Sequence, residues 1–128
     1  MDPNIQQALS RPGTIDITTT GRVSGAPRRI EIVYHVFNRR IYISGVPNPH
    51  RKRAWLTNLE ANPALTFHLK GAVSADLSAT ARVITDPAER REVLEKVARV
   101  WRRDPETMIA HSPLIEVTIQ GYENAAAA

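Results

Sequence analysis

The chain has 128 residues, 42% of them hydrophobic, enough for one domain with its own core and too apolar for a disordered segment. It carries no cysteine, which excludes disulfides, cysteine–zinc sites and cysteine nucleophiles. Its formal charge is +4, but eight of its 17 basic residues fall between Arg22 and Arg53 against the single acid Glu31, so the rest of the chain is net acidic. Charge concentrated in this way implies an anionic partner: a phosphorylated cofactor, nucleic acid or a membrane surface. No apolar run approaches the roughly 20 residues of a membrane span. Met1-Asp2-Pro3-Asn4 has neither the charged nor the apolar region of a signal peptide, so the cytoplasm is the expected location.

Residues 1–12 read as a peripheral segment in which Ile5, Ala8 and Leu9 could make a short amphipathic helix, stopped by Arg11-Pro12-Gly13. Thr14–Thr20 alternates as a first strand, with Ile15 and Ile17 on one face. Gly21, Ser24 and Gly25 form a turn, and Arg28–Phe37 is a second strand whose Ile30, Ile32, Tyr34 and Val36 share a face. Asn38-Arg39-Arg40 turns tightly into a third strand, Ile41–Gly45. After Val46-Pro47-Asn48-Pro49, a helix is predicted over His50–Ala61, with Trp55, Leu56 and Leu59 on its apolar stripe and Asn62-Pro63 ending it. Ala64–Leu69 and Asp76–Ile84 are strands four and five around Lys70-Gly71. Asp86-Pro87-Ala88-Glu89 has the form of a capping box and opens a helix to about Arg103, with Val93, Val97, Val100 and Trp101 as its buried stripe. Asp104-Pro105 repeats that start for a short piece, Leu114–Gln120 is a sixth strand, and residues 121–128 read as a frayed tail. The order predicts a single α+β domain, mainly β: about six mostly antiparallel strands closing into a small barrel in up-and-down order, with two or three flanking helices.

Two stretches carry candidate chemistry. In the first turn, Arg22, Arg28 and Arg29 crowd the backbone amides of Gly21, Ser24 and Gly25. That is a receptor for phosphate or carboxylate, or else a solvated basic hairpin. In the second, His50, Arg51, Lys52 and Arg53 stand where a helix begins, and positive charge there opposes the helix dipole by a few tenths of a kcal/mol each. An anion would remove that conflict; an exposed basic helix end is the alternative. The two stretches follow odd-numbered strands, so an up-and-down barrel brings them to one end and places Arg39 and Arg40 at the other. Nucleophile elbow, P-loop, zincin and dinucleotide motifs are missing. His35, His50, His68 and His111 lack ligand spacing, so no metal site is expected, and His35 and His68 read as packed neutral rings. The chemistry then falls to a bound cofactor, with a tyrosine (Tyr34, Tyr42 or Tyr122) or solvent giving a proton. Aromatic residues are 5% of the chain, and Trp55 and Trp101 sit on apolar stripes, so no nucleic-acid partner is expected.

Thr18-Thr-Thr-Gly-Arg-Val-Ser-Gly-Ala-Pro-Arg28 and Trp55-Leu-Thr-Asn-Leu-Glu-Ala-Asn-Pro63, with Leu69-Lys-Gly71, the Ala81-Arg-Val stretch and Asp86-Pro-Ala-Glu-Arg90 downstream, resemble the deazaflavin (coenzyme F420)-dependent nitroreductase family. The resemblance covers roughly residues 14–120. It implies a split β-barrel of the FMN-binding superfamily and an oxidoreductase passing a hydride from the reduced deazaflavin to a small electron-poor quinone, nitro compound or enone. By the same resemblance Arg22, Ser24, Gly25 and Arg28 take the cofactor's phosphate arm. Ser44, Gly45, Val46 and Pro47 run along its ring, and Ala54 and Trp55 face the ring's edge. Relatives commonly have lysine where this chain has Val23, and the loop after Ser44 lacks the basic residue and paired glycines of some members. The run His50, Arg51, Lys52, Arg53 could compensate. The departure leaves room for FMN, as in an FMN-dependent reductase, or for a non-catalytic barrel holding a flavin-like, haem-like or lipid ligand. Split barrels of the superfamily often pair, which makes a homodimer an option by analogy.

Overall fold

The structure is a computed structural model that describes residues 1–122. Its elements are α1 (Pro3–Leu9), β1 (Gly13–Thr20), β2 (Pro27–Phe37), β3 (Arg40–Ser44), α2 (Ala54–Ala61), β4 (Ala64–Lys70), β5 (Ser74–Val83), α3 (Pro87–Trp101), α4 (Pro105–His111) and β6 (Leu114–Ile119). The six strands close into an antiparallel barrel in the order β1-β2-β3-β6-β5-β4. This is not an up-and-down barrel. Two three-stranded meanders meet at two seams, β3 against β6 and β1 against β4. The chain crosses between them from β3 to β4, and α2 lies in that crossing.

Alternation decides what fills the barrel. Ile15 and Ile17 of β1 sit opposite Ile32 and Ile30 of β2. Ile15 and Ile17 belong with Ile43, Phe67 and Ile115 from other strands to one buried cluster against which the half-buried Ile30 and Ile32 pack, and the Tyr34 and Phe67 rings meet edge to face at 5.2 Å. Trp55, Leu56 and Leu59 of α2 and Leu9 of α1 join the same cluster. A second cluster lies under α3 and α4, where Tyr42 packs with Leu94, Val97 and Met108.

Four helices are described where two or three were expected. The helix predicted from His50 begins at Ala54, because Arg53 is its N-cap with extended backbone and no side-chain cap bond. By contrast Asp2, Asp86 and Asp104 each cap a helix through the side chain. In α3 the buried stripe is Val93, Leu94, Val97 and Ala98. Val100, expected inside, is 61% exposed, because the buried stripe runs through Leu94 and Ala98 beside Val93 and Val97. Of the tail expected over 121–128, Tyr122 donates its amide to the Ile119 carbonyl and packs on the barrel core, and residues 123–128 lie outside the described residues.

One buried acid ties the β3–β6 seam. Glu116 is 5% exposed and takes a fork from Arg40, at 2.6 and 2.9 Å, and a third bond from Arg82 at 2.8 Å. Burial pushes its carboxyl up, but the two guanidiniums outweigh burial and hold it below the ordinary glutamate value. A lowered folded-state pKa means the contribution is complete above pH about 4.5 and fades as pH falls through the folded value. Glu116→Gln is expected to cost about 2–3 kcal/mol at pH 7, the low side for a broken buried pair because Arg82 is half exposed. Urea unfolding at pH 7 and pH 3 checks this: the gap between variant and wild type should shrink at the lower pH.

Candidate cofactor site

Alternation carries Arg28 onto the same face of β2 as Ile30, Ile32 and Tyr34, at the end nearest the β1–β2 turn. Arg29, one residue on, faces outward and pairs with Asp16 at 3.0 Å. The turn itself is tightly built. Gly21 donates to Ala26 at 2.8 Å, Gly25 to Gly21 at 2.8 Å, and Ala26 to the Ser24 hydroxyl at 3.1 Å. Gly25 has φ +72°, which favours glycine, and a Cβ on Gly21 would stand 2.9 Å from Ser24 Oγ and 3.1 Å from the Ala26 carbonyl.

Asn58 of α2 fixes this turn. Its Oδ1 accepts the Arg22 backbone amide at 3.2 Å and Arg22 Nη1 at 3.1 Å, and its Nδ2 donates to Thr19 Oγ1 at 3.2 Å. Both Asn58 and Thr19 are buried, so every one of these bonds matters to the α2 end of the barrel. Asn58 falls within the Trp55–Pro63 motif, which by itself assigns it no role. Its position three residues after Trp55 was the available clue, since that spacing puts both on one helix face.

A cavity of about 450 Å³ opens here, lined by Arg22, Ser24 and Arg28 on the strand side and by Ala54, Trp55 and Asn58 of α2. Among the described residues neither Arg22 nor Arg28 is in an ion pair, whereas Arg29, Arg40, Arg82 and Arg91 each hold a carboxylate. His50, Arg51, Lys52 and Arg53 do not reach this cavity. They line another, of about 320 Å³, with Asn48, Leu56 and residues 110–113. The two flank the start of α2 and share no lining residue. Ser44, Gly45, Val46 and Pro47 line neither. The Ser44 hydroxyl is spent on the Pro113 carbonyl at 2.7 Å, and Arg53 Nη2 takes the Val46 carbonyl at 2.6 Å.

The F420H(2)-dependent quinone reductase family matches residues 4–119. The chain belongs to that family. Its fold is similar to that of a protein described as an F420 reductase (TM-score 0.66, 17% identity, 91% of this chain and 93% of that one). It is similar also to an F420-H2 dependent reductase designated FDR-A (TM-score 0.60, 21% identity, 82% and 93%) and to the conserved hypothetical protein Rv2991 from Mycobacterium tuberculosis (TM-score 0.69, 16% identity, 94% and 81%). No curated protein matches. The family makes the protein an oxidoreductase with coenzyme F420 as its cofactor, and FMN becomes a secondary alternative. No helix among the described residues is long and apolar enough to cross a membrane.

The cavity's donor set fits a phosphate-bearing cofactor: two guanidiniums without carboxylates, beside a turn whose glycine has no room for a Cβ. None of Tyr34, Tyr42 and Tyr122 lines this cavity. Tyr34 is six residues along β2 from Arg28, roughly 20 Å away at strand rise. Its hydroxyl donates to the Ala8 carbonyl at 2.7 Å. Tyr42 is packed under α3 and α4. Burial raises both phenols above their ordinary value, making them poorer acids. Tyr34→Phe is expected to lose about 1 kcal/mol of stability with its bond to α1, and neither Tyr34→Phe nor Tyr42→Phe should change turnover more than about twofold. Asn58→Ala should cost about 1–3 kcal/mol, because the buried Thr19 hydroxyl loses its donor. Thermal unfolding beside steady-state rates measures both.

Proposed function

We propose that the cavity between the β1–β2 turn and α2 holds the cofactor, with Arg22 and Arg28 binding its phosphate, Ser24 adding a hydroxyl, and Ala54 and Trp55 lining the cavity on the α2 side. The observation that supports this is the pair of arginines without carboxylate partners on one wall of a cavity of ligand size. Bound there, reduced F420 supplies a hydride, because a carbon in place of one ring nitrogen disfavours one-electron transfer. What the chain contributes is position. Asn58 holds Arg22 by backbone and side chain, so the phosphate contact is set before the ligand arrives. Ile30, Ala54 and Trp55 give the cavity an apolar lining suited to a flat, electron-poor acceptor, and among such acceptors a quinone fits the family's description best. With Tyr34 and Tyr42 away from the cavity, solvent gives the proton that completes a two-electron reduction.

Arg22→Ala tests the reading. A charge-assisted contact is worth on the order of 1.5–3 kcal/mol, so F420 should bind about tenfold to a hundredfold more weakly. Folding should change little, because Arg22 is exposed and its backbone bond to Asn58 stays. Arg40 does not serve as a control, since it holds Glu116. Arg39→Gly does: Arg39 lies in the β2–β3 turn with φ +61°, which glycine accepts without strain. Fluorescence titration should separate the two variants; equal loss in both would reduce the arginines to general surface charge.

A further inference from the structure

A second cavity lies beside α2. We propose that the cavity lined by His50, Arg51, Lys52, Arg53, His111 and Ser112 binds a phosphate or carboxylate group, separately from the Arg22–Arg28 wall. Three independent features carry this. The first is an uncompensated field. No carboxylate lines the cavity, and α2 offers it an N-terminus without a side-chain cap or an acid in its first turn. Lys52 reaches Glu60 at 2.5 Å and Arg53 is spent partly on Val46, but Arg51 is exposed and has no side-chain partner among the described residues.

The second feature is Ser112. It is 4% exposed, lines this cavity, and its Oγ has no hydrogen-bond partner among the described residues. A buried hydroxyl without a partner is uncommon in folded proteins, and an oxyanion is an acceptor it could satisfy. The third feature removes an objection. Ser112 follows the C-terminus of α4, whose carbonyl oxygens would repel an anion. Three of the last four carbonyls, those of Met108, Ile109 and His111, already have a donor. Arg90 Nη2 donates to Ile109 at 2.7 Å and to Ser112 at 2.8 Å, the Ser112 amide takes Met108 at 2.8 Å, and Asn48 takes His111 at 3.3 Å. Arg90 forms no ion pair among the described residues, so its charge adds to the field behind the cavity instead of being neutralised.

The anionic group has two sources with the same chemistry: a second acidic group on the molecule held by Arg22 and Arg28, reaching across the start of α2, or a separate small anion such as an acidic substrate. Inorganic phosphate titrated into ¹⁵N-labelled protein, with and without bound F420, tests the site and tells the sources apart. In the unloaded protein the Arg51 and Ser112 amide resonances should shift and saturate, and should do so equally in Arg22→Ala. Arg51→Glu should weaken that binding by about tenfold or more without unfolding, since Arg51 supports no other contact. Ser112→Ala should weaken it less. If F420 moves the same resonances and blocks phosphate, the group belongs to the cofactor; if phosphate still binds the loaded protein, it is a separate anion. The site is overturned by no saturable shift at Arg51 and Ser112, by unchanged affinity in Arg51→Glu, or by loss of the shifts in Arg22→Ala. The unloaded arm does not depend on F420 binding, so failure of this site and failure of the cofactor reading are separate results.

Discussion

Closure of two meanders at two seams is the constraint on which the structure depends. A three-stranded meander has two open edges, and each seam removes one from each meander. Register at the seams is fixed inside by apolar pairs, Ile43 opposite Ile115 and Ile17 opposite Phe67. Outside, each seam is tied by a polar network. At β3–β6 it is Glu116 between Arg40 and Arg82. At β1–β4 it is Asp16 held by Lys70 at 2.7 Å, with Thr18 bonded to His68 and His68 to Asp76, both at 2.7 Å. A one-residue slip at either seam would move these groups inward and the isoleucines outward, so charge and apolar burial select the same register.

The crossing from β3 to β4 makes the site. Antiparallel order puts the end of β1, the end of β3 and the start of β4 at one end of the barrel, and α2 covers that end. Trp55, Leu56 and Leu59 hold α2 to the core, which leaves Asn58 facing the β1–β2 turn. A buried amide in that position is costly unless fully bonded, and here it is bonded by backbone and side chains together. The anchoring of α2 and the placing of Arg22 therefore meet in one residue.

The alternation of β1, β2 and β4 and the Asp-Pro-x-Glu start of α3 were legible in the sequence, because each is a local pattern with a local cause. Strand order was not legible: alternation says which face is apolar and nothing about which strand pairs with which, so β3 against β6 appeared only in three dimensions. The start of α2 was misplaced because His50–Arg53 contains no cap residue to mark it, and Arg53 caps by backbone conformation alone. For the same reason one basic cluster was expected where there are two walls. Moving the helix start to Ala54 leaves the basic run in the preceding loop, on the side of α2 away from Arg22.

That division turns a count of charges into a direction. Of the eight basic residues between Arg22 and Arg53, three are neutralised in structural pairs: Arg29 by Asp16, Arg40 by Glu116 and Lys52 by Glu60. Arg39 stands in the β2–β3 turn at the far end of the barrel. Arg39 apart, those in no ion pair among the described residues, Arg22, Arg28, Arg51 and Arg53, belong to the α2 end, on either side of a helix start that adds its own partial charge. Several acids that could have opposed them, Asp2, Asp86 and Asp104, are engaged as caps of other helices. Leaving like charges together costs stability, and packing of the barrel does not require it. A modest net charge of +4 is thus distributed so that four guanidiniums in no ion pair among the described residues stand beside the start of α2, an arrangement that favours an anion at that end of the barrel.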